Sequence, residues 1–442
     1  MTGFIDSVVH GSGVDTGDIP ASLRFRNAAS SYCNRLFGSP TSTTKWSFST
    51  WVKLGNLGVR HFLLNGWNDS NNRGYLEIND SGVLRYDDFY GGSQKCLKVS
   101  TPVYRDPTGW LHIVCEADTG NATAEDRLRI YVNGVRVTSW STNTNYGLSI
   151  ATQINWASHQ HYIGWVNNNY GDDYRARTAF VDSGAGGPTA YGYFNTEINE
   201  WVTKSQAAVK AVVDAGGTNS FMLDFDDGTS LTTLGYDIHA SNILAYSQDP
   251  THATWGKLGT GTVTISGTAP DATATACVVN DTSAADSYVV FNGNNIPNDS
   301  QKYVASIYIK AGTAVDSAIG ATCQTGGTMV SNYVSITWSG GVPSIASGSG
   351  TLLNVGSGWY RLSIPVQNNS TGNTQAYILV YPRAFAASNT GSIYVWGAQI
   401  ERGTVASPYV ATTATNKPPN DWTPNNFSLT AGTSYDWMLD VP

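Results

Sequence analysis

Charged residues are scarce in this sequence, and the shortage of basic ones excludes one broad class of partner. Asp, Glu, Lys and Arg make up 13% of the 442 residues, and 25 Lys and Arg stand against 33 Asp and Glu, which gives a net charge of −8. Nucleic acid binding needs clustered cations that displace counterions from the phosphate backbone. We therefore expect no nucleic acid partner.

Long apolar runs are missing as well. No run reaches the roughly 18 apolar residues of a membrane-spanning helix. The opening residues, MTGFIDSVVHGSG, have neither the basic start nor the apolar stretch of a secretion signal. The sequence therefore predicts neither membrane insertion nor signal-dependent export.

Cysteine is equally rare. The five cysteines, Cys33, Cys96, Cys115, Cys277 and Cys323, are odd in number, widely spaced and without a CxxC pair. This pattern predicts neither a disulfide framework nor a zinc site. We expect all five to be buried as small apolar side chains.

Glycine and aromatic residues, in contrast, are abundant, with 46 Gly, 14 Trp and 24 Tyr. That composition suits short strands joined by tight turns. Residues 128–137, LRIYVNGVRV, show the pattern most clearly, because apolar and polar side chains alternate up to Asn133-Gly134. This pair tolerates the positive φ of a type I′ turn, so the segment predicts a β-hairpin.

Similar runs recur along the chain and predict an all-β fold built as two sandwiches. The first series extends from Ser22 to about Gly192 and includes KWSFSTWVKL, in which Trp46 is expected in the core. The second series begins near Ser241, where Ala, Thr, Ser and Gly become more common. Between the two, apolar residues at helical spacing predict one short helix near 197–215, with Thr196 as its N-cap.

A glycosidase of such a fold needs two carboxylates on one strand face, and the sequence offers few pairs. Glu77 and Asp80 fall on opposite faces of a strand. Asp224 and Asp226 share a face, but they belong to an acidic run before glycine that is typical of a turn. We therefore expect no enzymatic activity.

Two loops mix aromatic rings with amides and acids. Rings stack on the apolar faces of pyranose sugars, and amide and carboxylate groups bind their hydroxyls, so such loops favour glycan binding. The predicted glycan-binding residues are Trp67, Asn68, Asp69, Asn71, Trp165, Asn167, Asn169, Tyr170 and Asp172. The alternative, which the sequence leaves open, is that each loop is an ordinary polar turn beside a buried tryptophan.

Calcium binding is a further prediction for the same loops, because carboxylates and backbone carbonyls are the usual ligands of this ion. The candidate ligands are Asp69, Asp172 and Asp173, and no other cofactor is expected. His159 and His161 share a strand face, but no third ligand follows at metal-binding spacing. We expect this histidine pair to be structural.

Five segments carry a resemblance to a known family, namely SLRF, WSFSTWVK, GWLHIV, RIYVNG and NDWTPNNFSLT. In this order they resemble the laminin-G-like, concanavalin-A-like lectin domains of bacteriophage tail and virion proteins. The resemblance covers roughly residues 20–240 and 418–442. It implies a jelly-roll β-sandwich.

The intervening residues resemble a second kind of module. NILAYSQD, ASIYIKAGT, GWYRLSI and IYVWGAQIERGTVASPYV are similar to the jelly rolls of phage tail proteins that look like carbohydrate-binding modules. The predicted organisation is an N-terminal arm, 1–20, a lectin-like sandwich, 21–240 plus 418–442, and a carbohydrate-binding-module-like sandwich, 241–417, inserted into a loop of the first.

The resemblance implies a virion protein, a tail-fibre or comparable appendage subunit, that binds host-surface polysaccharide without enzymatic activity. It also implies a homotrimer in contact with other virion proteins. Two alternatives stay open. The chain could be a structural or decoration protein whose sandwiches mainly contact other virion subunits, or it could be a polysaccharide depolymerase.

Overall fold

The computed structural model describes residues 19, 21–226, 228, 230–239, 241–284, 287–384, 390–417, 419–429, 436–439 and 441–442. The chain separates into two compact units, Met1–Asp237 with Asn420–Pro442, and Ile238–Pro419. Of the predicted N-terminal arm, 1–20, all but Ile19 lies outside the described residues. The assignment of the units to lectin-like and carbohydrate-binding-module-like families stays a prediction.

Strands account for most of the described elements in both units. The first part of the first unit contains β1 (Ser22–Phe25), β2 (Tyr32–Leu36), β3 (Lys45–Leu54), β4 (His61–Asp69), β5 (Asn72–Ile78), β6 (Val83–Tyr90), β7 (Ser93–Val103), β8 (Leu111–Asp118), β9 (Leu128–Val132), β10 (Val135–Arg136), β11 (Trp140–Thr144), β12 (Gln160–Ile163), β13 (Trp165–Val166), β14 (Asn169–Tyr170), β15 (Asp173–Asp182), β16 (Gly192–Asn195), β17 (Glu200–Thr203), α1 (Gln206–Asp214) and β18 (Phe221–Leu223).

The remaining strands follow in chain order. The second unit contains β19 (Gly256–Leu258), β20 (Gly261–Ile265), β21 (Cys277–Asp281), β22 (Val289–Asn295), β23 (Lys302–Ala311), β24 (Asp316–Gln324), β25 (Val330–Ser339), β26 (Val342–Ser347), β27 (Thr351–Gly356), β28 (Trp359–Gln367), β29 (Gln375–Tyr381) and β30 (Gly391–Arg402). The chain then contributes β31 (Thr423–Asn425) and β32 (Trp437–Met438) to the first unit.

Two antiparallel sheets form the first unit. Sheet I has the strand order β10-β9-β8-β3-β15-β1-β32, with β18 also paired to β15. Sheet II has the order β11-β7-β6-β5-β4-β12-β2-β31. The hairpins β13–β14 and β16–β17 form separate two-stranded pairs.

The two sheets pack face to face around Trp46 of β3. Its ring centroid lies 5.8 Å from that of Phe180 in sheet I and 6.3 Å from that of Tyr86 in sheet II. Its indole N–H donates to Thr152 Oγ1 at 2.8 Å, which supplies the partner that a buried tryptophan needs. The expectation that Trp46 is a core residue is confirmed.

The second unit is also a sandwich. Sheet III has the order β19-β22-β29-β24-β25-β26, and sheet IV has the order β20-β21-β30-β23-β28-β27. Apolar residues of both sheets, among them Ile307 of β23 and Ile319 of β24, belong to one buried cluster. The predicted all-β, jelly-roll type of fold is confirmed.

The structure confirms two local predictions, the β-hairpin at Asn133-Gly134 and the burial of the cysteines. Strand β9 pairs with β10, Val132 lies opposite Val135, and the turn residues Asn133 and Gly134 have φ of 47° and 77°. The hairpin prediction is therefore confirmed. All five cysteines are free and buried, as expected.

The predicted helix near 197–215 forms over a shorter range, and its predicted N-cap, Thr196, is wrong. Trp201 belongs to β17, which pairs with β16 across a turn in which Asn199 has φ of 57°. The helix α1 is capped by Ser205, whose Oγ accepts the N–H of Ala208 at 3.2 Å. Among the described residues, no helix has the length and apolar character to span a membrane.

The closing segment completes both sheets of the first unit. Strand β31 pairs with β2, where Pro424 lies opposite Cys33, and β32 pairs with β1. The N–H of Trp422 donates to the carbonyl of Gly235 at 2.7 Å. The DWTPNN segment therefore belongs to the sandwich that the start of the chain builds.

Asp88 is a fully buried carboxylate of β6. Its Oδ2 accepts the backbone N–H of Gln153 at 2.9 Å. Burial raises the pKa of Asp88 to about 7, and hydrogen bonds from the N–H of Gln153 and from the hydroxyls of Tyr146 and Tyr86 oppose this only in part. The folded protein therefore keeps a proton that the unfolded chain releases near pH 4.

We predict that the wild-type protein loses more stability than the Asp88→Asn variant when the pH rises from 5 to 8. The folded pKa lies above the unfolded one, so the contribution is present at low pH and is lost as the pH passes the folded value. At about 1.4 kcal/mol per pKa unit, the difference amounts to a few kcal/mol. Denaturant unfolding of both proteins at several pH values measures it, and parallel profiles would contradict the prediction.

Candidate functional site

The two predicted loops lie side by side on the outer face of sheet II. Trp67 of β4 and Trp165 of the hairpin β13–β14 meet edge to face, with ring centroids 6.1 Å apart. The turn of this hairpin is Asn167-Asn168, whose φ values of 46° and 61° are those of a type I′ turn. The turn places Trp165 opposite Tyr170.

Five half-buried rings cover this face, and we call them the ring platform: Tyr32, Trp67, Tyr162, Trp165 and Tyr170. The Trp165 centroid lies 4.1 Å from that of Tyr162 and 6.4 Å from that of Tyr32. Tyr32 in turn lies 6.1 Å from Tyr170. The rings share one face because strand neighbours alternate, and the residues next to Tyr32 and Tyr162 are buried.

A cleft of about 440 Å³, which we call the arginine cleft, adjoins the ring platform and shares Trp67 with it. Phe62, Tyr75 and Val166 form a small buried cluster here, and Trp67 packs against it. The volume lies within the range of about 300–1,000 Å³ that is usual for small-molecule sites. The lining residues are Arg60, Trp67, Ser70, Arg73, Tyr75, Phe89, Val166, Asn167 and Asn169.

Rings and buried carboxylates hold the two arginines of the cleft in place. The guanidinium of Arg73 lies 4.0 Å from the ring centroid of Phe89, and its Nη2 is 3.9 Å from a carboxylate oxygen of Asp87. Arg60 donates from Nε and Nη2 to Glu77 at 2.6 and 2.8 Å. Both carboxylates are buried, so the arginines present oriented N–H donors with little freedom left to lose on binding.

The acidic and amide residues of the first loop serve its own turn. Asp69 Oδ1 accepts the backbone N–H groups of Asn71 and Asn72 at 2.7 and 3.0 Å, and Asn68 Nδ2 donates to its Oδ2 at 3.1 Å. Hydrogen bonds from the Asn72 side chain and the Asn71 backbone hold the pKa of Asp69 below its ordinary value. Asn68, Asp69 and Asn71 are exposed beside the cleft, and of this turn only Ser70 lines it.

The acids of the second loop lie in different surroundings. The carbonyl of Asp172 accepts the N–H of Gly55 at 2.9 Å, and partial burial raises the pKa of its carboxyl. Asp173 is fully buried between Arg175 Nε, at 2.5 Å, and His61 Nδ1, at 3.3 Å. Within the described ranges, no three His, Cys, Asp or Glu side chains form a group able to hold a metal ion, so the predicted calcium ligands do not converge.

Glu77, Asp224 and His161, which the sequence analysis considered as catalytic or metal-binding groups, have structural partners in the fold. Asp224 is buried and accepts from Arg177 Nε at 2.7 Å, much as Glu77 accepts from Arg60. His161 is buried and stacked on Phe37 with centroids 3.6 Å apart, and burial lowers its pKa to about 3. Its Nε2 accepts the N–H of Asn155 at 3.1 Å.

The predicted residues leave out six of the nine that line the arginine cleft and two of the five rings of the ring platform. Arg73 and Tyr75 lie two residues apart on β5, a spacing that places both on one face. Tyr32 and Tyr162 approach each other because β2 and β12 are neighbours in sheet II. The alternation of side chains along β5 predicts that Arg73 and Tyr75 share a face. The approach of Tyr32 to Tyr162 depends on strand order, which the alternation within one strand does not give.

No family model and no curated protein sequence matches the chain. Among solved structures, the chain is similar to a pentraxin from Limulus polyphemus (12% identity, 38% of this chain and 78% of that chain, TM-score 0.28). It is similar to the mouse laminin alpha1 domains LG4-5 (7%, 92% and 96%, 0.28). It is also similar to the enzymatically active domain of tailspike protein 4 from bacteriophage CBA120 (13%, 37% and 21%, 0.26). Likenesses at these TM-scores carry no argument about what this chain binds.

We predict that calcium leaves the Tm of this protein unchanged. Hydrogen bonds within its own turn already use the carboxylate of Asp69, and an ion pair with Arg175 uses the carboxylate of Asp173. Asp69→Ala should instead lower the Tm slightly, since two backbone N–H groups lose their acceptor. Thermal scans in millimolar calcium chloride and in EDTA test both statements. A rise in Tm with calcium that Asp69→Ala abolishes would restore the calcium site.

Proposed function

We propose that this protein binds glycans on the ring platform and in the arginine cleft of its first unit. The observation that carries the proposal is the contact between two loops that are about a hundred residues apart in sequence, through Trp67 and Trp165 at 6.1 Å. Five half-buried rings in mutual contact on one face form an apolar surface that a chain of sugar rings can cover.

The neighbouring polar groups suit the rest of a sugar. Arg60 and Arg73 supply N–H donors for hydroxyl or carboxylate oxygens, and Asn167 and Asn169 supply exposed amides at the rim. Each contact is weak in water. Affinity of this kind gains most when several copies act together, which fits the proposed homotrimer.

We further propose that the chain is a non-enzymatic subunit of a bacteriophage appendage, located on the virion, that recognises host-surface polysaccharide. The resemblance of its ordered segments to phage lectin-like domains supports this. The bidentate hydrogen bonds from Arg60 to Glu77 support a structural rather than an acid-base role for the carboxylate nearest the cleft.

We predict that Trp165→Ala and Trp67→Ala each weaken binding to host polysaccharide at least tenfold, while both variants stay folded at the temperature of the binding measurement because neither side chain belongs to the core between the two sheets. A tenfold loss corresponds to about 1.4 kcal/mol, which is within the range of one aromatic contact. Tyr170→Ala should have a smaller effect in the same direction. Biolayer interferometry on immobilised polysaccharide measures the affinities.

Tyr131→Ala is the matched control, since Tyr131 is a half-buried tyrosine of sheet I that lines neither the ring platform nor the arginine cleft. It should bind like the wild type. Unchanged affinity in all three platform variants would remove this face from the binding site. New reducing ends after incubation with the polysaccharide would contradict the non-enzymatic proposal and favour the depolymerase.

A further inference from the structure

A second cleft, of about 600 Å³, opens on the first unit among residues of sheet I and the hairpin β16–β17. We call it the Trp201 cleft. It shares no lining residue with the arginine cleft. Its lining residues are Trp51, Thr108, Gly109, Trp110, Asn133, Asn199, Glu200, Trp201, Val202, Thr203 and Pro442.

Neighbouring residues fix the orientation of the Trp201 indole in this cleft. Its Nε1 donates to His112 Nδ1 at 2.8 Å, and the two ring planes lie within 18° of each other. His112 in turn stacks on Trp51 with centroids 4.7 Å apart. Gly134 lies so close to the indole that an added Cβ would come within 2.4 Å of it, so glycine is required for this packing.

The hydrogen bonds fix the protonation of His112. An indole N–H only donates, so Nδ1 of the histidine must accept, and the ring proton resides on Nε2. That Nε2–H can donate to Ser49 Oγ, 2.8 Å away. Burial lowers the pKa of His112 to about 3, so this arrangement persists across the neutral pH range.

The polar groups of the cleft are incompletely used. The indole N–H of Trp110 is buried and has no hydrogen-bond partner among the described residues. Glu200 and Asn199 are exposed at the rim, and among the described residues that line the cleft Glu200 has the only charged side chain. A ligand would therefore meet an aromatic surface and the carboxylate of Glu200.

We propose that the Trp201 cleft is a second carbohydrate site, one that takes uncharged sugars. The flat indole suits stacking on a pyranose face, and Glu200 can accept two hydroxyl hydrogen bonds. The same carboxylate repels the negative charges of uronic acids and sulfated sugars. None of the described lining residues is a Lys or Arg that would offset this repulsion. A volume of about 600 Å³ accommodates two or three sugar rings and is far larger than a trimethylammonium group requires.

The test uses the full chain carrying Trp165→Ala, which weakens binding at the ring platform at least tenfold. Isothermal titration with cellotetraose, mannotetraose and maltotetraose, and with choline as a cationic probe, measures binding. At least one tetrasaccharide should bind. Trp201→Ala should abolish that binding, and Glu200→Gln, an exposed change that spares the fold, should weaken it about tenfold. Glu197→Gln, an exposed glutamate of the same hairpin outside the cleft, is the matched control and should have no effect.

The outcomes separate this site from the proposed function. If the wild type binds glycan and the Trp165→Ala protein binds none of the tetrasaccharides, the Trp201 cleft is not a sugar site and the proposed function stands. Binding of choline alone, or tetrasaccharide binding that Glu200→Gln and Trp201→Ala leave unchanged, also overturns the inference. If wild-type protein binds no glycan at all, both proposals fail.

Discussion

The packing of sheet I against sheet II is the constraint on which the rest of the first unit depends. Trp46 contacts rings of both sheets and satisfies its indole N–H internally, so the inner face of each strand is committed to the core. Because side chains alternate, every second residue of the same strands must then face outward. Tyr32, Trp67 and Tyr162 of the ring platform are such outward residues, and the separate hairpin β13–β14 adds Trp165 and Tyr170.

Both clefts owe their shape to side chains held by neighbours rather than to side chains free in solvent. Arg60 is fixed by Glu77, and Trp201 is fixed by His112 and by the bare backbone of Gly134. Groups that are already oriented lose little conformational entropy when a ligand arrives. This is the physical reason to assign binding to these places rather than to the exposed turn at Asp69, whose polar groups satisfy one another.

Much of the fold follows from local rules. Alternation identified the hairpin at Asn133-Gly134 and the buried face of Trp46, and the absence of CxxC pairs agreed with five free cysteines. The helix shows where local rules fail. Ile198, Trp201 and Val202 have helical spacing, but the pairing of β16 with β17 takes two of them into a strand. Pairing with β16, whose residues precede the predicted helix, therefore determined that this segment forms a strand.

The candidate site divides in the same way. The sequence by itself determined the residue types, since rings and amides in the loops around Trp67 and Trp165 were recognisable without coordinates. Only the tertiary structure decided which of them meet, because β12 lies between β4 and β2 in sheet II and this order brings Tyr32 and Trp67 beside Trp165. It also gave Asp69 and Asp173 different partners, the backbone of a turn for the first and Arg175 for the second. Finally, it brought Trp51, His112 and Trp201 together on one surface. Strand order depends on contacts between distant parts of the chain, and periodicity within a single strand carries no information about them.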